Sequence, residues 1–425
     1  MRTSQSNLPE VRGAPIQNSS SFRLASIDVL RGIAALSVAL YHIWGHDGTY
    51  PWPSIGVVEQ SADPHLLSYL TSPFRWGYLG VSFFLVLSGF CIHIQAARKR
   101  QETGGYGLQL REFFLRRIWR LYPAYAVAVI GTTILILLAS LWFPGMHVEG
   151  YRGQIGFWDV LAHLTMLHGY FESTFYSIAS VFWSLALEFQ LYLLYPIFLL
   201  LFRKVGTVRA VLLLTLVSLV WRYFAMAAGY GLISVSEHGP YVLMGCVFAR
   251  MPEWLFGAWL AEKYVAWRST ERAQPMRVGL IALFALIAFF VSILSTLSRN
   301  MWVVTDPLFG VAFTLVVAAA VFHKPGTTRE PSVIFRFFAW LGVVSYTLYL
   351  FHLQFSWLVA PVIAKIPGVW VPFVARLVWL GLTIVVVRWL FILVEKPFLG
   401  NPKRGEKYFG LYSALRRIFG FTAKA

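Results

Sequence analysis

Arg31 and His42 lie in one apolar stretch, SIDVLRGIAALSVALYHIWGH, that is long enough to be a membrane helix. An α-helix turns about 100° and rises about 1.5 Å per residue, so both side chains fall on nearly the same face, about 16 Å apart. One face then carries a fixed cation and a group that titrates near neutral pH. Ionisable residues inside a membrane usually mark a functional site, which makes this pair a candidate for chemistry. In the alternative, neighbouring helices merely satisfy both residues, and Asp28, one turn before Arg31, can pair with that arginine.

A carboxylate is predicted at the depth of His42. Glu188, in SVFWSLALEFQLYLLYP, belongs to a predicted helix that runs the opposite way, and both side chains lie roughly 10 Å from the outer helix ends. A histidine beside a carboxylate can act as a general base with an orienting partner. Trp183, Ser184 and Tyr192 flank Glu188 at helical spacing and either bind substrate or pack.

An arginine cluster precedes the third predicted span, in RKRQETGGYGLQLREFFLRRIWRLYPAY. Arg117 and Arg120 are three residues apart and share a helix face, and Arg116 lies beside them. Guanidinium groups bind phosphate oxygens in a bidentate manner, which suits a phosphorylated ligand. A plain topological anchor is the alternative. Because Arg31 faces inward from the same side, the ligand interpretation is favoured.

Two further polar groups are candidates for substrate binding. His352, in GVVSYTLYLFHLQF, follows Tyr346 and Tyr349 at intervals of three, and is either hydrogen-bonded within the bundle or part of a site. Arg250 and Glu253, in ARMPEWLFGAWLA, are three residues apart and either neutralise each other or line an acceptor cavity.

The composition is that of a membrane protein. The 425 residues are 58% hydrophobic and only 13% charged. The formal charge of +17 reflects basic residues in particular loops, so it indicates topology and no nucleic-acid partner is expected. Cys91 and Cys246 both fall in apolar segments, which favours structural burial. No HExxH motif or phosphate-binding loop occurs, and no metal is expected.

Hydropathy predicts an all-α polytopic membrane protein, a bundle of about ten transmembrane helices. The predicted spans are 27–46, 76–97, 121–143, 181–201, 208–229, 241–263, 277–297, 303–323, 337–360 and 370–394. The loops on the side of the termini hold about 27 Lys and Arg, against about 4 on the other side, so both termini are predicted to be cytoplasmic.

Three regions follow from this assignment. Residues 1–26 form a cytoplasmic polar segment, residues 27–398 the transmembrane core, and residues 399–425 a basic cytoplasmic tail. The tail, with YFGLYSALRRIFGF, is either an amphipathic helix on an anionic leaflet or a solvated end. Residues 144–180 are predicted to be an outward interfacial or re-entrant piece.

The ordered set of motifs resembles the membrane-bound acyltransferase-3 family. It comprises the Arg and His of the first span, GVSFFLVLSGF, RRIWRLYP, FWSLALEF, RMPEWLFG, SYTLYLFH and EKPF, from Ile27 to Phe398. The resemblance implies transfer of an acyl group, usually acetyl from acetyl-CoA, to a hydroxyl of a carbohydrate or lipid-linked glycan. It also implies that His42 is the essential histidine, that Arg31 is its partner, and that Arg117 and Arg120 meet the CoA moiety.

The same resemblance bears on the acceptor step. Some relatives carry an extra extracytoplasmic domain after an eleventh helix, and this sequence ends soon after its last predicted span, so the membrane core is expected to complete the transfer itself. The expected mechanism is attack of the acceptor hydroxyl on the thioester, with His42 as base and Glu188 orienting it. A two-step route with the acyl group carried by His42 stays open.

Two other function classes fit the predicted spans. A transporter or flippase would use Arg31, His42 and Glu188 as a polar path or proton relay, and would need no CoA. A receptor or scaffold would leave the intramembrane charges unexplained. The enzyme interpretation is favoured, with a bacterial inner membrane as location. The acceptor, the acyl chain of the donor and the oligomeric state are open.

Overall fold

The computed structural model describes residues 25–45, 66–142, 155–229, 239–270, 277–323, 331–363, 365–368 and 370–399. Within these ranges every regular element is helical. The helices are α1 (Ala25–Gly45), α2 (Leu66–Thr71), α3 (Gly80–Thr103), α4 (Leu110–Trp142), α5 (Phe157–Leu164), α6 (Trp183–Val205), α7 (Thr207–Gly229), α8 (Gly239–Gly245), α9 (Val247–Arg268), α10 (Val278–Ser295), α11 (Trp302–Phe322), α12 (Val333–Val343), α13 (Ser345–Ile363) and α14 (Trp370–Leu390). The predicted amphipathic helix of the tail and most of the predicted N-terminal segment lie outside the described residues.

The helical prediction is confirmed, since the described part of the chain holds nine segments long and apolar enough to cross a membrane. The predicted span 241–263 is not among these nine and corresponds to α9, whose 22 residues include Arg250, Glu253 and Glu262. A helix with these charges is stable in a membrane when protein surrounds it. α9 packs closely along α3, where a Cβ atom added to Gly89 would lie 1.9 Å from the carbonyl oxygen of Trp254.

α3 is the central helix of the bundle, whereas α10 and α14 lie at its periphery. The most apolar window of the α3 segment is 78% buried inside the protein, against 17% for α10 and for α14. The exposed faces of α10 and α14 are rich in Leu, Val and Phe, as expected for lipid contact. Side chains that could do chemistry therefore concentrate on α1, α3, α4, α6, α9 and α13.

The first helix after the arginine-rich loop begins earlier than predicted. α4 starts at Leu110, before the predicted span at 121, because the arginines of this segment tolerate a helix that projects beyond the apolar layer. Arg117 and Arg120 are consequently held on a regular helix. The bundle end where α3 ends and α4 begins is called here the basic end, and the opposite end, where α5 lies, the far end.

Two irregular segments position polar groups. The predicted span 337–360 is divided at Val344 into α12 and α13, which places Ser345 at the start of α13. α14 continues into a π-helical turn, Phe391–Glu395, and such turns are frequent at functional sites. The turn directs Glu395 back into the protein, where the residue is 2% exposed.

At the far end, α5 covers the bundle without crossing it. Tyr122 and Tyr125 of α4 donate hydrogen bonds of 3.0 Å to the carbonyl oxygens of Leu164 and His163. With only eight residues, α5 cannot span a membrane. The described part of the predicted interfacial segment thus packs onto the helices around it.

Candidate active site

A cavity of about 110 Å³ lies between α1, α3, α4, α6 and α13. The polar and titratable residues of its lining are Arg31, Ser88, Cys91, Arg117, Arg120, Ser184, Glu188, Tyr192, Ser345, Tyr346 and Tyr349. The cavity therefore brings together the predicted catalytic residues Arg31 and Glu188 with the predicted donor-binding residues Arg117 and Arg120. These four residues lie on three helices that are far apart in sequence and become neighbours in the folded protein.

Arg31 and Glu188 form the polar centre of the cavity. The Glu188 carboxylate accepts hydrogen bonds from Ser88 Oγ at 2.9 Å and from the Tyr192 hydroxyl at 2.5 Å. Arg31 interacts electrostatically with Cys91, Asp28 and Glu188. The carboxylate is thus held by two hydroxyl donors and faces a cation, an arrangement that offsets the cost of burying its charge.

Arg117 has no carboxylate within ion-pair distance among the described residues. Its guanidinium carbon lies 5.8 Å from the ring centroid of Phe113 and 5.9 Å from that of Tyr192, within the range of a cation–π contact. Its Nε atom is buried and has no hydrogen-bond partner in the described part of the chain. A buried donor of this kind stabilises an anion that enters the cavity.

Arg120 is already engaged. Its Nη1 atom lies 2.9 Å from Oε1 of Glu395, whose side chain is 1% exposed, and Thr347 donates a hydrogen bond of 2.5 Å to Oε2. Arg116, the third predicted donor-binding residue, lies outside the lining. Its side chain is 52% exposed and pairs with Glu112 at 3.8 Å.

His42 contacts a second histidine. Nδ1 of His42 lies 3.1 Å from Nε2 of His352, and the ring centroids are 5.0 Å apart. The His352 ring packs against Tyr349 at 5.8 Å, and the Tyr349 hydroxyl is hydrogen-bonded to Ser184 at 2.6 Å. Tyr349 and Ser184 both line the cavity, and Tyr349 thereby places the histidine pair next to it. The predicted contact of Glu188 with His42 is replaced by the hydroxyl contacts described above.

A separate charge cluster lies at the far end, beside Trp183. Arg250 contacts Asp306 at 2.7 Å and Glu253 at 3.0 Å, and Arg222 contacts Asp306 at 2.8 Å. The Arg250 guanidinium lies 6.0 Å from the Trp183 ring centroid. Two cations and two carboxylates therefore balance each other, as one predicted alternative for Arg250 and Glu253 required.

The structure adds residues that the sequence alone did not link to the site. Cys91 was expected to be structurally buried, but it is only partly buried and lines the cavity, whereas Cys246 is buried. Ser88, Asp306 and Glu395 also went unassigned, because their partners lie far away in sequence. Across the described ranges, no group of three His, Cys, Asp or Glu side chains could hold a metal ion.

A family model described as "Acyltransferase domain" matches residues 24–394, nearly the whole chain. The matched residues include every helix that contributes to the cavity. No solved structure matches the chain.

The chain is also similar to named proteins. The peptidoglycan O-acetyltransferase OatA of Listeria monocytogenes is 26% identical over 396 residues, which cover 88% of this chain and 56% of that protein. A protein of Acidianus two-tailed virus named "Putative acetyltransferase ORF330" is 26% identical over 325 residues, 76% of this chain and 81% of that protein. A Staphylococcus aureus protein named "Putative O-acetyltransferase SACOL0978" is 24% identical, over 88% and 57% of the two chains. The chain thus spans little more than half of the bacterial relatives.

Proposed function

The chain belongs to the membrane-bound acyltransferase-3 family, and we propose that it moves acetyl from acetyl-CoA to a hydroxyl of a cell-surface or exported glycan. The observation that carries the proposal is the cavity in which Arg117, without a carboxylate partner, lies beside Arg31 and Glu188. An unmatched guanidinium in a partly buried cavity favours an anionic ligand.

The donor enters from the basic end. In this proposal the basic end faces the cytoplasm of a bacterium, where acetyl-CoA is made, in agreement with the positive-inside distribution of Lys and Arg. Arg117 and Arg31 bind phosphate oxygens of the CoA moiety, and Arg120 reinforces the positive potential while it stays paired with Glu395. The thioester arm extends past Glu188 toward Tyr349, which lines the cavity and packs against His352.

The acceptor enters from the far end. Its hydroxyl oxygen attacks the thioester carbonyl carbon while His42 takes the hydroxyl proton. The carbon–sulfur bond then breaks, CoA leaves as the thiolate, and the protonated His42 returns the proton to the sulfur. The products are an acetylated hydroxyl and free CoA, with all atoms and protons accounted for.

A peptidoglycan-type glycan is the acceptor we infer. The Listeria relative is named a peptidoglycan O-acetyltransferase and covers most of this chain at 26% identity. Such a glycan is outside the cytoplasmic membrane, so a donor site at the basic end and an acceptor route from the far end require the reaction to occur inside the bundle.

The two cysteines of the chain offer a direct test of the donor site. Cys91 lines the cavity and Cys246 does not, so a thiol reagent reports occupancy at one position with an internal reference at the other. The purified protein is treated with N-ethylmaleimide, with and without desulfo-CoA, which has no thiol to consume the reagent. Mass spectrometry then gives the labelling rate at each cysteine. We expect desulfo-CoA to slow labelling of Cys91 in a saturable way and to leave Cys246 unchanged.

Neighbouring arginines of α4 provide a matched pair of variants. Arg117→Ala removes the unmatched cation and should weaken protection about 10-fold or more, the value of a charge-assisted hydrogen bond. Arg116→Ala removes an exposed cation that is paired with Glu112 and should change protection less than about twofold. If both variants weaken the protection of Cys91 equally, the arginine cluster is only a topological anchor. No protection of the wild type at millimolar desulfo-CoA would favour the transporter instead.

A further inference from the structure

The backbone contacts of His42 and His352 define which nitrogen of each ring carries hydrogen. Nδ1 of His352 lies 2.9 Å and 3.1 Å from the carbonyl oxygens of Tyr349 and Leu348. Nδ1 of His42 lies 3.0 Å from the carbonyl oxygen of Val38. A carbonyl oxygen only accepts hydrogen bonds, so the hydrogen-bonding network assigns the hydrogen to Nδ1 in both rings.

The direction of the hydrogen bond between the rings follows. Neutral His352 with hydrogen on Nδ1 has a lone pair on Nε2, and this atom faces Nδ1 of His42 at 3.1 Å. The Nδ1–H of His42 is therefore shared between the carbonyl oxygen of Val38 and Nε2 of His352, and His352 is an acceptor. Neutral His42 then has its own lone pair on Nε2, the nitrogen that a general base needs.

We propose that His352 is the positioning residue of the reaction, which holds His42 in the tautomer and ring orientation of a general base. The inference rests on the proposed function and adds a role for His352 that differs from substrate binding. In many hydrolases a carboxylate orients the base. Here a neutral imidazole accepts the same Nδ1–H hydrogen bond, and His352 is 0% exposed, where a neutral group costs far less to bury than a carboxylate.

The surroundings of the pair support this role. The Tyr41 ring meets the His42 ring edge-on at 5.0 Å, and Tyr349 packs against His352 at 5.8 Å. Two aromatic rings thus restrict rotation of the imidazoles. Glu188, the residue predicted to orient His42, instead accepts from Ser88 and Tyr192 inside the cavity.

Two amide substitutions test the roles of the two nitrogens of His352 separately. The side-chain amide of His352→Gln reaches the position of Nε2 and can accept from His42, whereas that of His352→Asn reaches only the position of Nδ1 and can bond the backbone carbonyls. At metal sites, loss of the hydrogen bond that orients a ligating histidine costs about 10- to 100-fold in activity, and the same order is expected for His42. We expect His352→Asn to lower kcat by that factor, with KM for acetyl-CoA within about twofold, and His352→Gln to restore kcat to within about fivefold of wild type.

The assay measures CoA release from acetyl-CoA by the purified full chain, with soluble peptidoglycan fragments as acceptor, and protection of Cys91 by desulfo-CoA in the same samples. The inference is overturned if His352→Asn retains activity, if both variants lose it equally, or if Cys91 protection disappears together with activity. If desulfo-CoA protects Cys91 in the wild type but His352→Asn and His352→Gln have equal activity, the proposed function stands and the role of His352 is refuted. A wild type with neither protection nor CoA release overturns both.

Discussion

Two groups of buried charged residues in this bundle differ in whether their charges are paired and in whether they line a cavity. At the far end, Arg222, Arg250, Glu253 and Asp306 form contacts of 2.7–3.0 Å in which every cation meets a carboxylate. The cavity near the basic end encloses about 110 Å³, and its Arg117 contacts the rings of Phe113 and Tyr192 but has no carboxylate within ion-pair distance among the described residues.

Charge inside a membrane protein therefore does not by itself indicate a ligand site. Paired charges that pack closely, with no cavity between them, hold helices together. Separating them would leave an uncompensated buried ion, which is costly. An unmatched cation beside a cavity retains the capacity to bind. Substitutions in the two regions should therefore change different quantities, stability in the first and donor affinity in the second.

Asp306→Asn should give the largest loss of stability. It leaves Arg222 and Arg250 with one carboxylate between them, and breaking a buried ion pair costs about 3–5 kcal/mol. We expect a markedly lower melting temperature of the detergent-purified protein, measured by loss of the monodisperse peak after heating. Protection of Cys91 per folded molecule should stay unchanged. A stable variant with weakened protection would instead assign the far-end cluster to ligand binding.

Arg120 belongs to both regions, since it lines the cavity but is paired with buried Glu395. Arg120→Ala should lower stability by about 1.5–3 kcal/mol, the value of hydrogen bonds to a charged group, because it strands the Glu395 carboxylate. Adding Glu395→Gln should restore most of that stability, since an amide is cheaper to bury than a carboxylate.

The double variant also separates stability from binding at this position. If Arg120 contributes to the donor site, Cys91 protection stays weakened in Arg120→Ala/Glu395→Gln after the melting temperature recovers. If protection recovers with stability, Arg120 is a structural residue only, and Arg117 and Arg31 form the donor site without it. A double variant as unstable as the single one would contradict the assigned role of Glu395.

The sequence predicted the helices and most of the polar residues of the cavity because each depends on local patterns. Apolar windows located the spans, and the spacing of Arg117 and Arg120 placed both on one face. The partners of these residues could not be predicted in the same way. Glu395 lies in a π-helical turn that no periodicity marks, and Asp306 is 84 residues from Arg222 along the chain.

The orienting partner of His42 shows the same limit. Equal depth in the membrane suggested Glu188, but depth does not determine which face of a helix meets which neighbour. The packing of α13 against α1 brings His352 to His42 instead. The earlier start of α4 has a similar origin, because arginines end an apolar window without ending a helix.

A third buried group consists of two histidines. The rings of His163 and His168 are stacked at 3.9 Å at the far end, and burial lowers the pKa of His163 to about 4 and that of His168 well below its usual value. The folded state therefore stays neutral while the unfolded state binds protons below about pH 6.5. The contribution of this histidine pair to the free energy of unfolding is fully present above that pH and is lost as the pH falls toward 4.

We expect this pair to lower the free energy of unfolding by about 2–3 kcal/mol between pH 7 and pH 5.5. His168→Phe keeps an aromatic ring on His163 and should reduce the fall in melting temperature over that interval. His323→Gln, at an exposed histidine, should leave the fall unchanged. Identical pH dependence in wild type and His168→Phe would show that the stacked pair does not couple to folding.

Glu188→Gln should give the smallest effect, and it tests the cavity most directly. The amide oxygen can still accept from Ser88 and Tyr192, so the fold is retained, but one negative charge leaves the cavity. Desulfo-CoA should then protect Cys91 about two- to fivefold more tightly, the range of one partly screened charge interaction. If Glu188 orients the base, kcat falls instead by about 10- to 100-fold with unchanged donor affinity. The sign of the change in affinity, together with kcat, therefore separates a carboxylate that balances Arg31 from one that serves His42.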